Sequence, residues 1–135
     1  MSYLMNTIES HFIFLFLFAF VHAMGCGQSQ QFAAVPPGVN AESVTRQTYQ
    51  LKAERFKFTP DVIHVKVGTL VRLEVTSIQG DHGFQLGAFG IDEALDENQT
   101  RIVEFYASKQ GEYGFRCSHF CGIGHMGMNG KIVVE

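Results

Sequence analysis

The chain has 135 residues, 46% of them hydrophobic, which is enough for one domain with a real core and too little for two of ordinary size. Its formal net charge is −3 and all ten Lys and Arg residues stand at Arg46 or later without forming a basic run, so no nucleic-acid partner is indicated. The cysteines divide by position, Cys26 after an apolar run and Cys117 with Cys121 near the other end, and the two groups need separate explanations.

The first predicted element is the apolar run FIFLFLFAFV, Phe12 to Val21, which fades by Gly25. As a helix of about 14 residues at ~1.5 Å per residue it would cover about 21 Å, short of the ~30 Å hydrocarbon core, so an export signal fits better than a membrane span. Ala23-Met24-Gly25-Cys26 resembles a bacterial lipoprotein box, in which the cysteine becomes the lipidated N-terminus; that would account for the odd cysteine. Against it, Met1 to His11 contains Glu9 and no Lys or Arg, and Ala23 stands where the box usually has Leu. Residues 1–26 are therefore open to three readings: a cleaved lipoprotein signal, an uncleaved short anchor, or a plain secretion signal. Each places the remainder outside the cytoplasm, on the periplasmic side, and the first two attach it to the membrane. Residues 27–46, with Pro36 and Pro37 and little apolar periodicity, read as a tether with a stiff kink.

From Gln47 the period becomes two. Val71, Leu73 and Val75 alternate with Arg72, Glu74 and Thr76, and similar alternation runs through Ile63, Val65 and Val67, Val103 and Phe105, Tyr113, Phe115 and Cys117, and Ile132 and Val134. Breaks fall at Thr59-Pro60, Gly68, Gly80-Asp81, Gly87 to Gly90, Asp96 to Asn98 and Gly111. Short strands at this spacing with no convincing helix predict an all-β, antiparallel Greek-key sandwich over residues 47–135. By parity His64 falls on the wet face beside Lys66 and is left out of the candidate site. Asp92, Glu93, Asp96 and Glu97 form an acidic cluster placed between strands, either a solvated loop or a docking point for a basic electron donor whose binding weakens in salt.

The chemistry is concentrated in FRCSHFCGIGHMGMNG, Phe115 to Gly130, where two thiols, two imidazoles and two thioethers share one loop. Such donors favour copper first and zinc second, whereas calcium or magnesium would want carboxylates. Cys121, His125 and Met128 with a distant histidine would suit a single blue-copper ion. Cys117 is surplus to that count, and a second thiolate four residues earlier lets both sulfurs bridge two copper ions. Other readings are a Cys117–Cys121 disulfide and a zinc site closed by two cysteines and two histidines. Met126 is out of register and is expected to pack rather than ligate.

The pattern Cys-x-x-x-Cys-x-x-x-His-x-x-Met, complete here from Cys117 to Met128, resembles the CuA loop of cytochrome c oxidase subunit II. FKFTPDVIHVKVGTLVRLEVTS followed by DHGF is similar to the first strands of the short subunit II of ba-type bacterial oxidases, and Gly111-Glu112-Tyr113 and the closing strand also match. The resemblance implies a cupredoxin-like sandwich with a dinuclear copper centre. In it Cys117 and Cys121 bridge both ions, His82 and Met128 complete one, and His125 with the backbone carbonyl of His119 completes the other. His119 departs from the Glu or Gln common at its position, but the family uses only the main-chain oxygen there.

The implied role is an electron-entry domain, not catalytic alone, that takes electrons from a cytochrome c or small copper protein and passes them to oxidase subunit I. The alternative is a free-standing lipoprotein that shuttles electrons or carries copper for oxidase assembly. The family often uses an aromatic patch for electron entry. This chain has no Trp; Phe56, Phe58, Phe84 and Phe120 are left either to supply that apolar contact instead or, by default, to pack in the core.

Overall fold

A computed structural model describes residues 35–135; the export segment, Cys26 and residues 27–34 of the expected tether lie outside the described residues. Residues 35–45 form successive turns, with Val39 N–H donating to Pro36 O at 3.1 Å and Ser43 N–H to Asn40 O at 3.0 Å. Nine strands follow among the described residues: β1 (Arg46–Glu54), β2 (Lys57–Thr59), β3 (Val62–Val65), β4 (Leu70–Ser77), β5 (His82–Leu86), β6 (Ile91–Leu95), β7 (Thr100–Tyr106), β8 (Gly111–Arg116) and β9 (Asn129–Val134). They make a four-stranded sheet in the order β2-β1-β4-β7 and a five-stranded sheet in the order β3-β9-β8-β5-β6.

The period-two pattern of β4 shows how the sandwich closes. Val71, Leu73 and Val75 are fully buried, while Arg72 on the outer face lies 3.3 Å from both Glu74 and Glu104. Tyr113 is half-buried, and Ile63, Val65, Val103, Phe105, Phe115, Ile132 and Val134 point inward as their parity requires. Val67 does not. The strand ends at Val65, Gly68 turns with φ 83°, and Val67 is 45% exposed.

The sheets are mixed, which corrects the antiparallel expectation. β1 pairs in parallel with β4, and β3 with β9. Between β1 and β4 the chain reverses into β2 and then crosses to the other sheet as β3, so it returns in its original sense; a crossover of this kind yields parallel neighbours where a hairpin would not.

At the centre Phe58 meets Phe84 and Phe115 edge-on, with ring centroids 5.9 and 5.3 Å away. Phe84 and Phe115 are themselves 5.3 Å apart. Burying each such ring stabilises the fold by about 1.5–3 kcal/mol. This aromatic layer lies directly beneath the chemistry-bearing loop, because Phe84 and Phe115 are each two residues from a candidate ligand.

Candidate metal centre

Strand alternation carries half of the candidate ligands inward. His82 opens β5 on the same side as Phe84 and Leu86 and is 1% exposed. Cys117 follows β8 on the parity of Phe115 and is 3% exposed, and Met128 precedes β9 on the parity of Ile132 and is 1% exposed. Gly83 makes their meeting possible. A Cβ there would strike Ser118 Oγ and lie 2.7 Å from His119 N, so only glycine lets the β5 backbone press against the loop, with its N–H directed at Cys117 Sγ from 3.5 Å.

The loop between β8 and β9 is closed at its base by Cys117 N–H donating to Met128 O at 2.9 Å. A single 3-10 turn, His125–Gly127, carries His125 beside Cys121. The ring of Phe56, from the turn after β1, occupies the space a side chain at Gly122 or Gly124 would need. The two glycines thus seat the loop on Phe56.

The donors converge. Cys117 Sγ and Cys121 Sγ are 3.7 Å apart as separate thiols. His82 Nδ1 is 3.8 Å from Cys117 Sγ, His125 Nδ1 is 3.7 Å from Cys121 Sγ, and Met128 Sδ is 3.9 Å from Cys121 Sγ. The His119 carbonyl lies 3.0 Å from Cys117 Sγ. His82, Cys117 and Cys121 bring one ligand atom each within 4.8 Å of one another, and His125 stands outside that trio.

His82 Nε2 lies 2.9 Å from the carbonyl of Gln79. A carbonyl can only accept, so Nε2 carries the proton and the neutral ring presents the lone pair of Nδ1 to the sulfurs. Burial pushes the His82 pKa below its ordinary value, and Arg55 and His119 act the same way, against the Gln79 carbonyl and Asp81. Burial, and then the adjacent Cys117, push the Cys121 thiol up to about 11. Cys121 is therefore a neutral thiol near pH 7 until a cation displaces its proton.

All six donor positions named from the sequence lie in this one cluster, and His64 does not, its ring being exposed and 3.3 Å from Glu135. Other expectations fail. Met126 is 87% exposed and packs against nothing in the core. Phe58 and Phe84 are core, but Phe56 and Phe120 are 37% and 73% exposed, because they belong to the turn and loop rather than to strands. The acidic cluster is only in part a stretch between strands, Asp96 and Glu97 lying between β6 and β7. Asp92 and Glu93 lie in β6, and Asp92 is bonded to Ser118 and Gln85, Asp96 to Arg101 and Glu97 to Gly80 N–H. The contributions of Ser118, Gly83 and Gln79 are not legible in the sequence, since they depend on tertiary contacts that no local pattern signals.

A family model for the cupredoxin-like domain matches residues 13–134. Cytochrome c oxidase subunit 2 of Thermus thermophilus is 31% identical over 88 residues, covering 65% of this chain and 65% of that protein; a second sequence of that name, from the same species, is covered over 52% of its length. The chain thus spans between about half and two thirds of these relatives. Nitrous-oxide reductase of Stutzerimonas stutzeri is 35% identical over 75 residues, which are 53% of this chain and 12% of the reductase. A chain of a heme-copper terminal oxidase dimer superimposes with a TM-score of 0.62 at 26% identity, with 76% of each chain covered. By its family match and its fold, this chain belongs to the cupredoxin-like domain family.

Proposed function

We propose that the domain holds a dinuclear copper centre and carries single electrons from a cytochrome c or small copper protein to subunit I of a terminal oxidase, on the extracytoplasmic side of a membrane. The ligands in this reading are Cys117 and Cys121 as bridges, His82 and Met128 on one ion, and His125 with the His119 carbonyl on the other. The observation that carries it is the division of the imidazoles: one flanks each sulfur, and His125 stands outside the trio that His82 completes. A single tetrahedral ion would instead want all four side chains within mutual reach.

The donor set fits the metal, for thiolate, imidazole and thioether are the soft and intermediate ligands that copper prefers. Copper bound there would supply a one-electron couple shared over the bridging sulfurs. What the protein supplies is stiffness in the buried half of the site. The Gln79 carbonyl fixes the His82 tautomer, β5 and β8 fix Cys117, and the packed aromatic layer beneath limits how far these two ligands can move when charge changes. Both named kinds of relative, an oxidase subunit and a reductase, belong by name to redox enzymes, which supports an electron-transfer role.

Copper stoichiometry with optical and electron paramagnetic resonance spectra of the full chain, loaded under mild reductant, tests the proposal. Two coppers sharing one unpaired electron are expected. One copper with a single-centre spectrum, or a preference for zinc, would overturn it.

A further inference from the structure

We infer that Asp92 and Ser118 are positioning residues for the centre: the carboxylate holds the Ser118 hydroxyl and thereby fixes the main-chain carbonyl of His119 beside Cys117. The ligand role of that carbonyl rests on the two-copper reading; the clamp itself is visible without metal.

Ser118 Oγ donates to Asp92 Oδ1 at 2.6 Å, a short bond of the charge-assisted kind. The other Asp92 oxygen accepts from Gln85 Nε2 at 2.9 Å, and Gln85 Oε1 accepts from Arg116 Nε at 2.8 Å. Gln85 on β5 is the register partner of Arg116 on β8 and of Asp92 on β6, so these residues form one rung across three strands. The polarity of the rung is determined. An Arg Nε–H can only donate, which turns the amide oxygen of Gln85 toward it and the amide nitrogen toward Asp92. An ionised carboxylate only accepts, so the Ser118 hydroxyl must spend its one proton on Asp92.

Ser118 lies between Cys117 and His119 in the chain, and its freedom is closed from the other side as well. The Gly83 backbone is so near that a methyl group there would strike Ser118 Oγ and crowd His119 N. Held between the β5 backbone and the β6 carboxylate, Ser118 cannot shift without moving the next carbonyl, which stands 3.0 Å from Cys117 Sγ. Asp92, whose charge alone suggests a docking cluster, is here committed to the loop. Its neighbour Glu93 has the opposite strand parity and serves as a control.

The test uses the full chain with Ser118→Ala, Asp92→Ala, Ser118→Thr and Glu93→Gln. In the metal-free protein, amide hydrogen exchange at Gly83 and Cys117, the hydrogen-bonded amides that pack against and precede Ser118, is expected to quicken about five- to tenfold in Ser118→Ala and Asp92→Ala, as the loss of one hydrogen bond at a loop would give. In the copper-loaded protein the same two variants should move the optical spectrum and the reduction potential with copper stoichiometry unchanged. Ser118→Thr should restore both readouts, and Glu93→Gln should match the parent chain. Unaltered exchange at these two amides in both alanine variants overturns the clamp. So does an equal loss of protection across β4 and β7, which would mark a merely global effect. A changed exchange at the two amides with unmoved spectrum and potential overturns the positioning role. Because exchange is read without copper, a parent chain that binds one ion or none would defeat the two-copper reading while leaving the clamp to be judged separately.

Discussion

The two halves of the ligand set are held by different physics. His82, Cys117 and Met128 are 1%, 3% and 1% exposed, and each continues the inward parity of a strand whose next members are core residues: Phe84, Phe115 and Ile132. His119, Cys121 and His125 are borne on the loop, held by turn hydrogen bonds, the seat on Phe56 and the bond from Ser118 to Asp92. Their neighbours face solvent, Phe120 at 73%, Met126 at 87% and Ile123 fully. Folding alone therefore sets one half of the site, whereas the other half depends on local contacts that can open without unfolding the sandwich. A metal ion would find half its cage already built and would fix the rest.

The largest expected contrast is between two phenylalanines that both stand within two residues of a ligand in sequence. Phe84→Ala empties the aromatic layer beneath His82 and should cost the metal-free domain about 3–5 kcal/mol. Phe120→Ala, between His119 and Cys121, should change stability by less than about 0.5 kcal/mol. Urea denaturation monitored by circular dichroism measures both. A Phe120→Ala loss comparable to that of Phe84→Ala would mean that the loop is part of the cooperative core and that the two halves are one.

Met128 sharpens the contrast from inside the buried half, because it serves the core and the cage together. Met128→Leu nearly conserves volume and should cost less than about 1.5 kcal/mol, yet it removes the Sδ that lies 3.9 Å from Cys121 Sγ. The copper-loaded variant should keep the fold with a changed optical spectrum and reduction potential. An unchanged spectrum would assign Met128 to packing alone.

The same division explains what can be read in the sequence. Period two in Val71, Leu73 and Val75 marks β4 because half-buried strands write their environment into every second residue, and the donor set from Cys117 to Met128 stands in one short segment. The parallel pairings of β1 with β4 and β3 with β9 are not legible, since alternation is the same for parallel and antiparallel neighbours and the crossover is a tertiary choice. Packing is the natural expectation for Met126 and Phe120 because apolar side chains usually pack, but in a loop with no strand parity nothing directs them inward. Asp92 announces only its charge. Its bond to Ser118 crosses from β6 to the ligand loop, a distance of 26 residues along the chain, and no local pattern signals it.

The smallest expected effect is a pH dependence, and it distinguishes the halves by solvent access. Burial, the largest influence, holds the His82 pKa below its ordinary 6.5; Arg55 and His119 oppose protonation, while the Gln79 carbonyl and Asp81 favour it. In the unfolded chain His82 regains its ordinary value, so the unfolded state binds more protons than the native state between the two pKa values. Stability of the metal-free domain should therefore rise with pH through that window and fall as pH drops below about 6.5. Urea midpoints at about pH 7.5 and about pH 5.5 in the parent chain and in His82→Gln measure the difference, and the variant should lose less on acidification. If acidification lowered the parent and His82→Gln midpoints equally, His82 would be as open to protons as the loop, and the buried half of the site would not exist as a distinct unit.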